Sequence, residues 1–249
     1  MKKASYWLVL LTFWAGASFG QKLTLGKQTF ELKNVTGLVI DFQGTKVLKI
    51  ERDLKALPFD VNRLEATVDE PTYAKLTDLD FENGTIEVKM YSQIQNPSPF
   101  ANAQGFIGVA FRINDSDTAF ESIYLRPRVG RSGNQLFRNH TVQYFAYPNA
   151  KFETLRKNYP PGMYEGSAPV NINEWITMRI EVNGETAEMF INGARYSSFI
   201  VDKMLGSTRK GSIGLFVDIG TIGYFKDLKV TKKSLKAKQV VAGKKEDEV

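Results

Sequence analysis

The chain has 249 residues, a net charge of +6, 43% hydrophobic residues and 24% charged residues. These proportions are typical of a globular protein, and they exclude collagen, a coiled coil and disorder along the whole chain. The sequence contains no cysteine, which excludes disulfides, thiolate zinc sites and cysteine nucleophiles. His140 is the only histidine, so metal sites built from several histidines are excluded as well.

The first twenty residues have the layout of a secretory signal peptide. Lys2 and Lys3 precede an apolar run that ends at Trp14, and Ser18 and Gly20 place small side chains before a cleavage point after residue 20. A membrane anchor is the alternative, but the uncharged stretch is shorter than the roughly 20 apolar residues that span a bilayer. We therefore predict a signal peptide at 1–20, a secreted or periplasmic location, and no membrane association after cleavage.

From Gln21 onward, short alternating segments give way to turn residues about every 8 to 12 residues, the spacing of an antiparallel sandwich or barrel. The segment between Asp53 and Asp80 is less regular, and we expect loops there with a short helix or strand. The predicted strands, in chain order, are Val39–Phe42, Lys46–Ile50, Thr85–Tyr91, Phe106–Ile113, Ile123–Arg126, Ile176–Val182, Ala187–Ile191, Ile213–Ile219 and Tyr224–Val230.

No linker or internal repeat divides these strands, so residues 21–231 are predicted to form one all-β domain. In the strand that ends at Ile113, the alternation assigns Ile107, Val109 and Phe111 to the core and leaves Arg112 on the other face. The remaining residues, 232–249, form a basic and then acidic tail with few apolar side chains. We expect that tail to be disordered.

Several segments together resemble a known superfamily. They are Phe81–Glu87, Gly108–Arg112, Trp175 with Arg179–Val182, Phe190–Gly193 and Gly211–Leu215. Their order resembles the concanavalin A-like lectin and glucanase jelly roll, and more narrowly the bacterial secreted domains labelled 3-keto-disaccharide hydrolase-like. The resemblance covers Leu38 to Val230 and implies a two-layer antiparallel jelly-roll β-sandwich. Because the superfamily includes hydrolases, lectins and adhesive modules, it implies no particular activity.

The most unusual segment lies between Glu121 and Glu153, where no Asp or Glu occurs. Its five basic residues are Arg126, Arg128, Arg131, Arg138 and Lys151, and its aromatic residues include Tyr124, Phe137, Tyr144, Phe145 and Tyr147. Sugar recognition uses this mixture, because aromatic faces cover C–H surfaces while guanidinium groups bind hydroxyls or carboxylates. Arg126 is the first candidate, and we expect Arg112 to share its surface if the two strands pair. The alternative is a solvated charged edge.

His140 is the one side chain whose ordinary pKa lies near neutrality, so it is a candidate to carry a proton or orient a sugar hydroxyl. The alternative is a structural role. Gln143 and Tyr144 lie on opposite faces of a predicted strand, and the pattern does not decide which of them accompanies Arg126. The predicted ligand-binding residues are Arg112, Tyr124, Arg126, Arg138, His140, Gln143 and Tyr144.

The sequence contains no recognisable pair of catalytic carboxylates. The two glutamates flanking an aspartate on one glucanase strand are absent, Asp78 to Glu82 precede a turn, and Glu87, Glu121 and Glu181 are isolated. The segment Asn114–Asp117 offers oxygen ligands for calcium, with a polar turn as the alternative. No other cofactor is predicted. For Trp175, burial at a strand start is favoured over stacking on a sugar.

Three functions remain open. The first is a secreted domain that binds or processes a saccharide on the open face of one sheet. The second is a glycoside hydrolase acting on bacterial, plant or host glycans. The third is a non-catalytic module for an anionic partner, among which a secreted location makes nucleic acid the least favoured. We expect a saccharide ligand and no nucleic acid.

Overall fold

The computed structural model describes residues 21–234, and these form two packed antiparallel sheets. The predicted signal peptide and the tail from residue 235 lie outside the described residues. The strands are β1 (Lys22–Leu25), β2 (Gln28–Lys33), β3 (Val35–Phe42), β4 (Thr45–Arg52), β5 (Tyr73–Leu76), β6 (Gly84–Ile94), β7 (Ile107–Ile113), β8 (Phe120–Leu125), β9 (Val142–Tyr147), β10 (Glu165–Gly166), β11 (Trp175–Asn183), β12 (Thr186–Ile191), β13 (Phe199–Val201), β14 (Ser212–Val217) and β15 (Thr221–Lys232).

Short helices lie in the loops between strands. They are α1 (Leu64–Thr67), α2 (Gln135–Arg138), α3 (Phe152–Asn158) and two 3-10 turns at Val61–Arg63 and Pro127–Val129. In residues 21–234, none of the helices has the length and apolar character that crossing a bilayer requires. The irregular segment predicted between Asp53 and Asp80 contains α1 and β5.

The two sheets confirm the predicted two-layer jelly-roll sandwich. One sheet has eight strands in the order β1-β2-β5-β14-β7-β8-β9-β10, and the other has seven in the order β13-β12-β11-β6-β15-β4-β3. Neighbours within each sheet are often far apart in sequence. β14, for example, lies between β5 and β7, and β6 lies between β11 and β15.

Alternation along β7, β8 and β9 determines which side chains face the second sheet. Ile107 pairs with Leu125, and Val109 pairs with Ile123, so these four side chains lie on one face. A Cβ placed on Gly223 of β15 would contact Ile107, which identifies this face as the one between the sheets. The predicted core positions in β7 are buried there.

The opposite, outer face of the eight-stranded sheet is covered by loops and helices. Tyr124 of β8 lies on this face opposite Gly108 of β7 and Gln143 of β9. Its ring packs against those of Phe145 and Phe216, which lie on the same face. This second apolar layer supports the floor of a cavity.

Candidate functional site

A cavity of about 170 Å³, which we call the Tyr124 pocket, lies over this outer face. It is lined by Leu64, Val68, Asp69, Phe100, Asn102, Gln104, Phe106, Tyr124, Arg126, Phe152, Arg156, Asp218 and Ile219. The sheet contributes Tyr124, and the loops before β5 and β7, the end of β14 and α3 contribute the walls. Aromatic rings and polar groups therefore meet in one small concavity, an arrangement typical of small-molecule sites.

Gly108 allows the floor of this pocket to form. A Cβ at that position would lie 2.4 Å from the carbonyl oxygen of Ile123 and 2.6 Å from Cβ of Tyr124. Only a residue without a side chain fits against Tyr124 at this separation. Tyr124 is only 3% exposed. Its side chain lies against Gly108, and Phe106 contacts the ring edge-on.

Arg126 lies two residues beyond Tyr124 on the same face and organises the pocket from beneath. Its Nη2 donates to the hydroxyl of Tyr124 at 2.9 Å and to Oε1 of Gln143 at 3.0 Å. Its Nη1 donates to the carbonyl of His140 at 2.8 Å and to Oε1 of Glu165 at 3.1 Å. All four terminal N–H groups thus have protein partners, so Arg126 positions other side chains more than it offers donors to a ligand.

Glu165 joins two guanidinium groups and the histidine. It accepts from Nη2 of Arg156 at 2.6 Å as well as from Arg126, and its Oε2 lies 3.0 Å from Nδ1 of His140. Burial alone would raise the pKa of Glu165, but the hydrogen bond from Arg156 and the nearby positive charges lower it. Glu165 is therefore ionised and balances one of the two arginines.

Asp69 is a buried carboxyl in the pocket wall, and only 1% of the residue is exposed. Burial raises its pKa from 3.8 to about 6, against a hydrogen bond from the backbone of Phe152 and with a contribution from the charge of Asp218. The backbone of Asp69 has a φ of 55°, in the left-handed region that Asp tolerates better than most residues. Asp69 is therefore the carboxyl in this pocket that gains or loses its proton as the pH passes through about 6.

Asp218 lies beside Asp69 with its oxygens already engaged. Oδ1 accepts from Nη1 of Arg52 at 2.6 Å and from the N–H of Ile219 at 2.7 Å, and Oδ2 accepts from the N–H of Asp69 at 3.0 Å. This carboxylate fixes the Asp69 backbone to the end of β14. Asp69 accepts from the backbone N–H of Phe152, whereas Asp218 accepts from Arg52 and from two backbone N–H groups.

Gln104 contributes an acceptor that no protein group satisfies. Its Oε1 is buried in the pocket wall and has no hydrogen-bond partner among the described residues. A buried amide oxygen without a partner is uncommon, because its desolvation goes uncompensated. A hydroxyl or N–H group of a ligand in the pocket would satisfy it.

The expectation that Arg112 shares a surface with Arg126 is wrong. Tyr124 pairs with Gly108, four residues before Arg112, so Arg112 lies about 13 Å along the strand from the level of Tyr124, and Arg126 is farther away still. Arg112 also has a φ of 54°, and its guanidinium donates to the carbonyls of Glu82 and Gly184. The buried side chain of Arg112 thus links the loops that contain Glu82 and Gly184.

Among the remaining predicted residues, Gln143 lies with Arg126, whereas Tyr144 faces the space between the sheets. There its hydroxyl donates to the buried carboxylate of Glu121, and the N–H of Leu205 donates to it at 2.6 Å. His140 does not line the pocket but lies next to it, with its Nδ1 3.0 Å from Oε2 of Glu165. Arg138 is exposed on α2 and donates to the carbonyl of Ser132, so it lines no part of the pocket.

The basic segment does not form an open basic surface. Its acidic partners come from elsewhere in the chain: Glu165 for Arg126, Glu174 for Arg131 at 2.8 Å, and Glu70 for Lys151. Arg128 donates to the carbonyl of Ala103 at 3.1 Å. Arg126 and Lys151 are thus buried and paired with glutamates, while Arg131 and Arg138 are exposed.

The predicted calcium ligands are engaged in a turn and in ion pairs. Oδ1 of Asn114 accepts from the N–H groups of Thr118 and Ala119, and Asp117 binds Lys75 at 2.7 Å. Within residues 21–234, no group of three or more His, Asp or Glu is placed to hold a metal ion. Trp175 lies half-buried at the start of β11, in an aromatic cluster with Phe42.

Sequence reasoning missed Asp69, Asp218, Gln104 and Arg156. Asp69 lies in the irregular segment before β5, where no periodicity indicates a face. Asp218 carried a usable signal, because it alternates with Gly214 and Phe216 on the outer face immediately after a core strand. A charged residue at that position indicates a site at the end of the strand.

Comparisons with known proteins concern the fold. A carbohydrate-binding module from Bacillus subtilis is 12% identical, with 79% of this chain and 94% of that chain covered and a TM-score of 0.46. A protein of unknown function with a galectin-like fold, also from Bacillus subtilis, is 12% identical over 81% and 90%, with a TM-score of 0.44. A β-glucanase from Bacillus licheniformis is 11% identical over 86% and 92%, with a TM-score of 0.42.

No protein-family model and no curated protein matches the chain. At these identities and TM-scores, no residue role is transferred from the structural neighbours.

Proposed function

We propose that this chain is a secreted jelly-roll domain that binds a saccharide in the Tyr124 pocket. A sugar presents hydroxyls that both donate and accept, together with C–H faces that pack on aromatic rings. The pocket offers Phe100 and Phe106 as apolar walls, Oε1 of Gln104 and the Asp69 carboxyl as acceptors, and Arg156 as a donor. The observation that carries the proposal is the unsatisfied, buried Oε1 of Gln104 among these groups.

The binding test uses a glycan panel and calorimetry on the wild type and on Gln104→Leu. That substitution keeps the side-chain size and removes the acceptor, so we expect at least a tenfold loss of affinity, about 1.4 kcal/mol. Gln135→Leu on the exposed α2 is the matched control and leaves affinity unchanged. No binding across the panel, or equal affinity for Gln104→Leu with an intact fold by circular dichroism, would exclude this site.

A second candidate function, glycoside hydrolysis, is favoured by the raised pKa of Asp69. A carboxyl with a pKa of about 6 keeps its proton under mildly acidic conditions, as a general acid must. Asp218 accepts from Arg52 and from two backbone N–H groups. It therefore does not serve as the second carboxyl that would activate water. Hydrolysis here would use Asp69 to protonate the leaving oxygen as its bond to the anomeric carbon breaks, while a water molecule adds to that carbon and loses its proton to solvent.

Turnover on chromogenic glycosides and on the glycans that bind tests this candidate. We expect Asp69→Asn to form no product even at glycan concentrations that saturate it, with wild-type activity falling as pH rises through about 6. Binding without product from any glycan at pH 5 leaves the domain as a binding module.

The third function, a module for an anionic partner, is opposed by the ion pairs of the basic segment. Arg126, Arg131 and Lys151 each have a glutamate partner. Affinity for the saccharide should therefore change little between low and moderate salt. A steep decrease with salt would favour the anionic partner instead.

A further inference from the structure

A second cavity, which we call the His140 groove, lies next to the Tyr124 pocket. It also has a volume of about 170 Å³ and is lined by His140, Leu155, Arg156, Pro160, Pro161, Gly162, Tyr164 and Glu165. Leucine, the two prolines and the ring of Tyr164 provide an apolar surface. The histidine, the arginine and the glutamate provide polar groups at one side. This mixture of apolar and polar groups resembles that of the first pocket.

The two cavities share one side chain. Arg156 lines both of them, and its side chain is 42% exposed, so part of it faces solvent between the two. Glu165 in the groove forms ion pairs with Arg156 and with Arg126 of the pocket. Arg156 and its ion pair with Glu165 therefore connect the linings of the two cavities.

Two polar atoms at this junction have no protein partner among residues 21–234. Nη2 and Nε of Arg156 bind Glu165, which leaves its Nη1 unpartnered. Nδ1 of His140 faces Glu165 at 3.0 Å, which leaves its Nε2 unpartnered. One guanidinium donor and one imidazole nitrogen are therefore available to hydroxyl or ring oxygens that cross between the cavities.

Above about pH 6, where Asp69 is ionised, the arginine and carboxylate charges around the two cavities balance. Arg126 and Arg156 are opposed by Glu165 and Asp69, and Asp218 is paired with Arg52. A ligand with a net charge would disturb this balance in a partly desolvated place. The charge arrangement favours a neutral ligand with many hydroxyls.

We infer that the His140 groove is a second saccharide subsite, so that the ligand is a neutral glycan of at least two rings that spans Arg156. One ring occupies the Tyr124 pocket and the next ring packs on Pro160, Pro161 and Tyr164, within reach of His140. This inference rests on the proposed function of the Tyr124 pocket. It adds ligand length and a role for His140 that involves no proton transfer.

Calorimetry with matched monosaccharides and disaccharides tests the inference. Glucose and galactose are compared with cellobiose, maltose and lactose on the wild type, His140→Ala and Arg138→Ala. We expect at least one disaccharide to bind tenfold or more tightly than its monosaccharide. His140→Ala should remove most of that gain, whereas Arg138→Ala, an exposed residue of the same segment outside both cavities, should keep it.

The outcomes separate this inference from the function on which it rests. Disaccharides that bind no more tightly than monosaccharides, while Gln104→Leu still weakens both, would overturn the second subsite and leave the first in place. A gain that His140→Ala leaves unchanged would also overturn it. Absence of binding for every sugar would overturn both. Because His140 is 41% exposed and Glu165 retains both arginines without it, His140→Ala is expected to fold.

Discussion

The backbone N–H of Asp69 donates to Oδ2 of Asp218 at 3.0 Å, while Oδ1 of Asp218 holds Arg52 at 2.6 Å. The contact joins the loop before β5, the end of β14 and the end of β4. It also fixes Asp69 in its left-handed conformation, with its carboxyl in the Tyr124 pocket. The Asp69 carboxyl is thus positioned in the pocket by the neighbouring carboxylate of Asp218.

Asp69→Asn should remove a decrease in the free energy of unfolding that the wild type shows as pH rises from about 4 to about 6. Because the folded pKa is raised to about 6 from 3.8, the folded state binds the proton more tightly than the unfolded state. The stability associated with that proton is present below about pH 4 and is lost as pH rises through about 6, by about 3 kcal/mol in total. Relative to Asp69→Asn, the wild type should lose stability across this window.

Urea unfolding of both proteins between pH 4 and pH 8 measures this difference. Asparagine can still accept from the N–H of Phe152, so the comparison isolates the charge. Parallel pH profiles for the two proteins would contradict a raised pKa at Asp69.

Asp218→Asn should destabilise the fold by about 3–5 kcal/mol, because it leaves the guanidinium of Arg52 buried without a counter-charge. Asp227→Asn is the matched control, since Asp227 pairs with Lys89 at 3.0 Å with both side chains about half exposed. The control should change stability by less than about 1 kcal/mol. Equal unfolding midpoints in urea for the two variants would show that the Arg52–Asp218 pair contributes no more to stability than the exposed Lys89–Asp227 pair.

Gly108→Ala should destabilise the domain by about 1–3 kcal/mol or more, because its Cβ would overlap the backbone of β8 at Ile123 and Tyr124. Gly133→Ala provides the control: its Cβ meets nothing within 4 Å and the residue is exposed. Thermal unfolding compares the two. A melting temperature for Gly108→Ala equal to that of the control would mean that β7 and β8 can separate without loss of stability.

Alternation predicted much of the sheet and little of the site. Ile107, Val109 and Phe111 lie at the predicted core positions because a strand side chain has only two directions in which to point. The same rule failed at Arg112, where a positive φ turns the side chain away. Periodicity assumes regular backbone, so it does not locate residues that depend on bulges or loops.

The site itself depends on contacts between distant segments. Tyr124, Arg126 and Gln143 lie on neighbouring strands, and these could be grouped from sequence once the pairing is known. Asp69 and Arg156 come from a loop and a short helix that no local pattern places over that face. The absence of acids between Glu121 and Glu153 suggested free positive charge, whereas tertiary contacts supply Glu165, Glu174 and Glu70.

Glu165→Gln should show the opposite pH dependence from Asp69→Asn. At pH 7 the variant leaves Arg126, whose side chain is 9% exposed, without its counter-charge, and we expect a loss of about 3–5 kcal/mol. The pKa of Glu165 is lowered in the folded state, so its contribution is present above about pH 4.5 and is lost as pH falls through the folded value. The wild type and Glu165→Gln should therefore converge in strongly acidic solution.

Urea unfolding at pH 7 and in strongly acidic solution tests this convergence, with Glu174→Gln as the control. Glu174 also pairs with an arginine, Arg131, but that guanidinium is more than half exposed, so its loss should change stability by less than about 1 kcal/mol at pH 7. If the difference between the wild type and Glu165→Gln persisted in acid, the effect would come from packing. If it were absent at pH 7, Arg126 would be held by Tyr124, Gln143 and the His140 carbonyl alone.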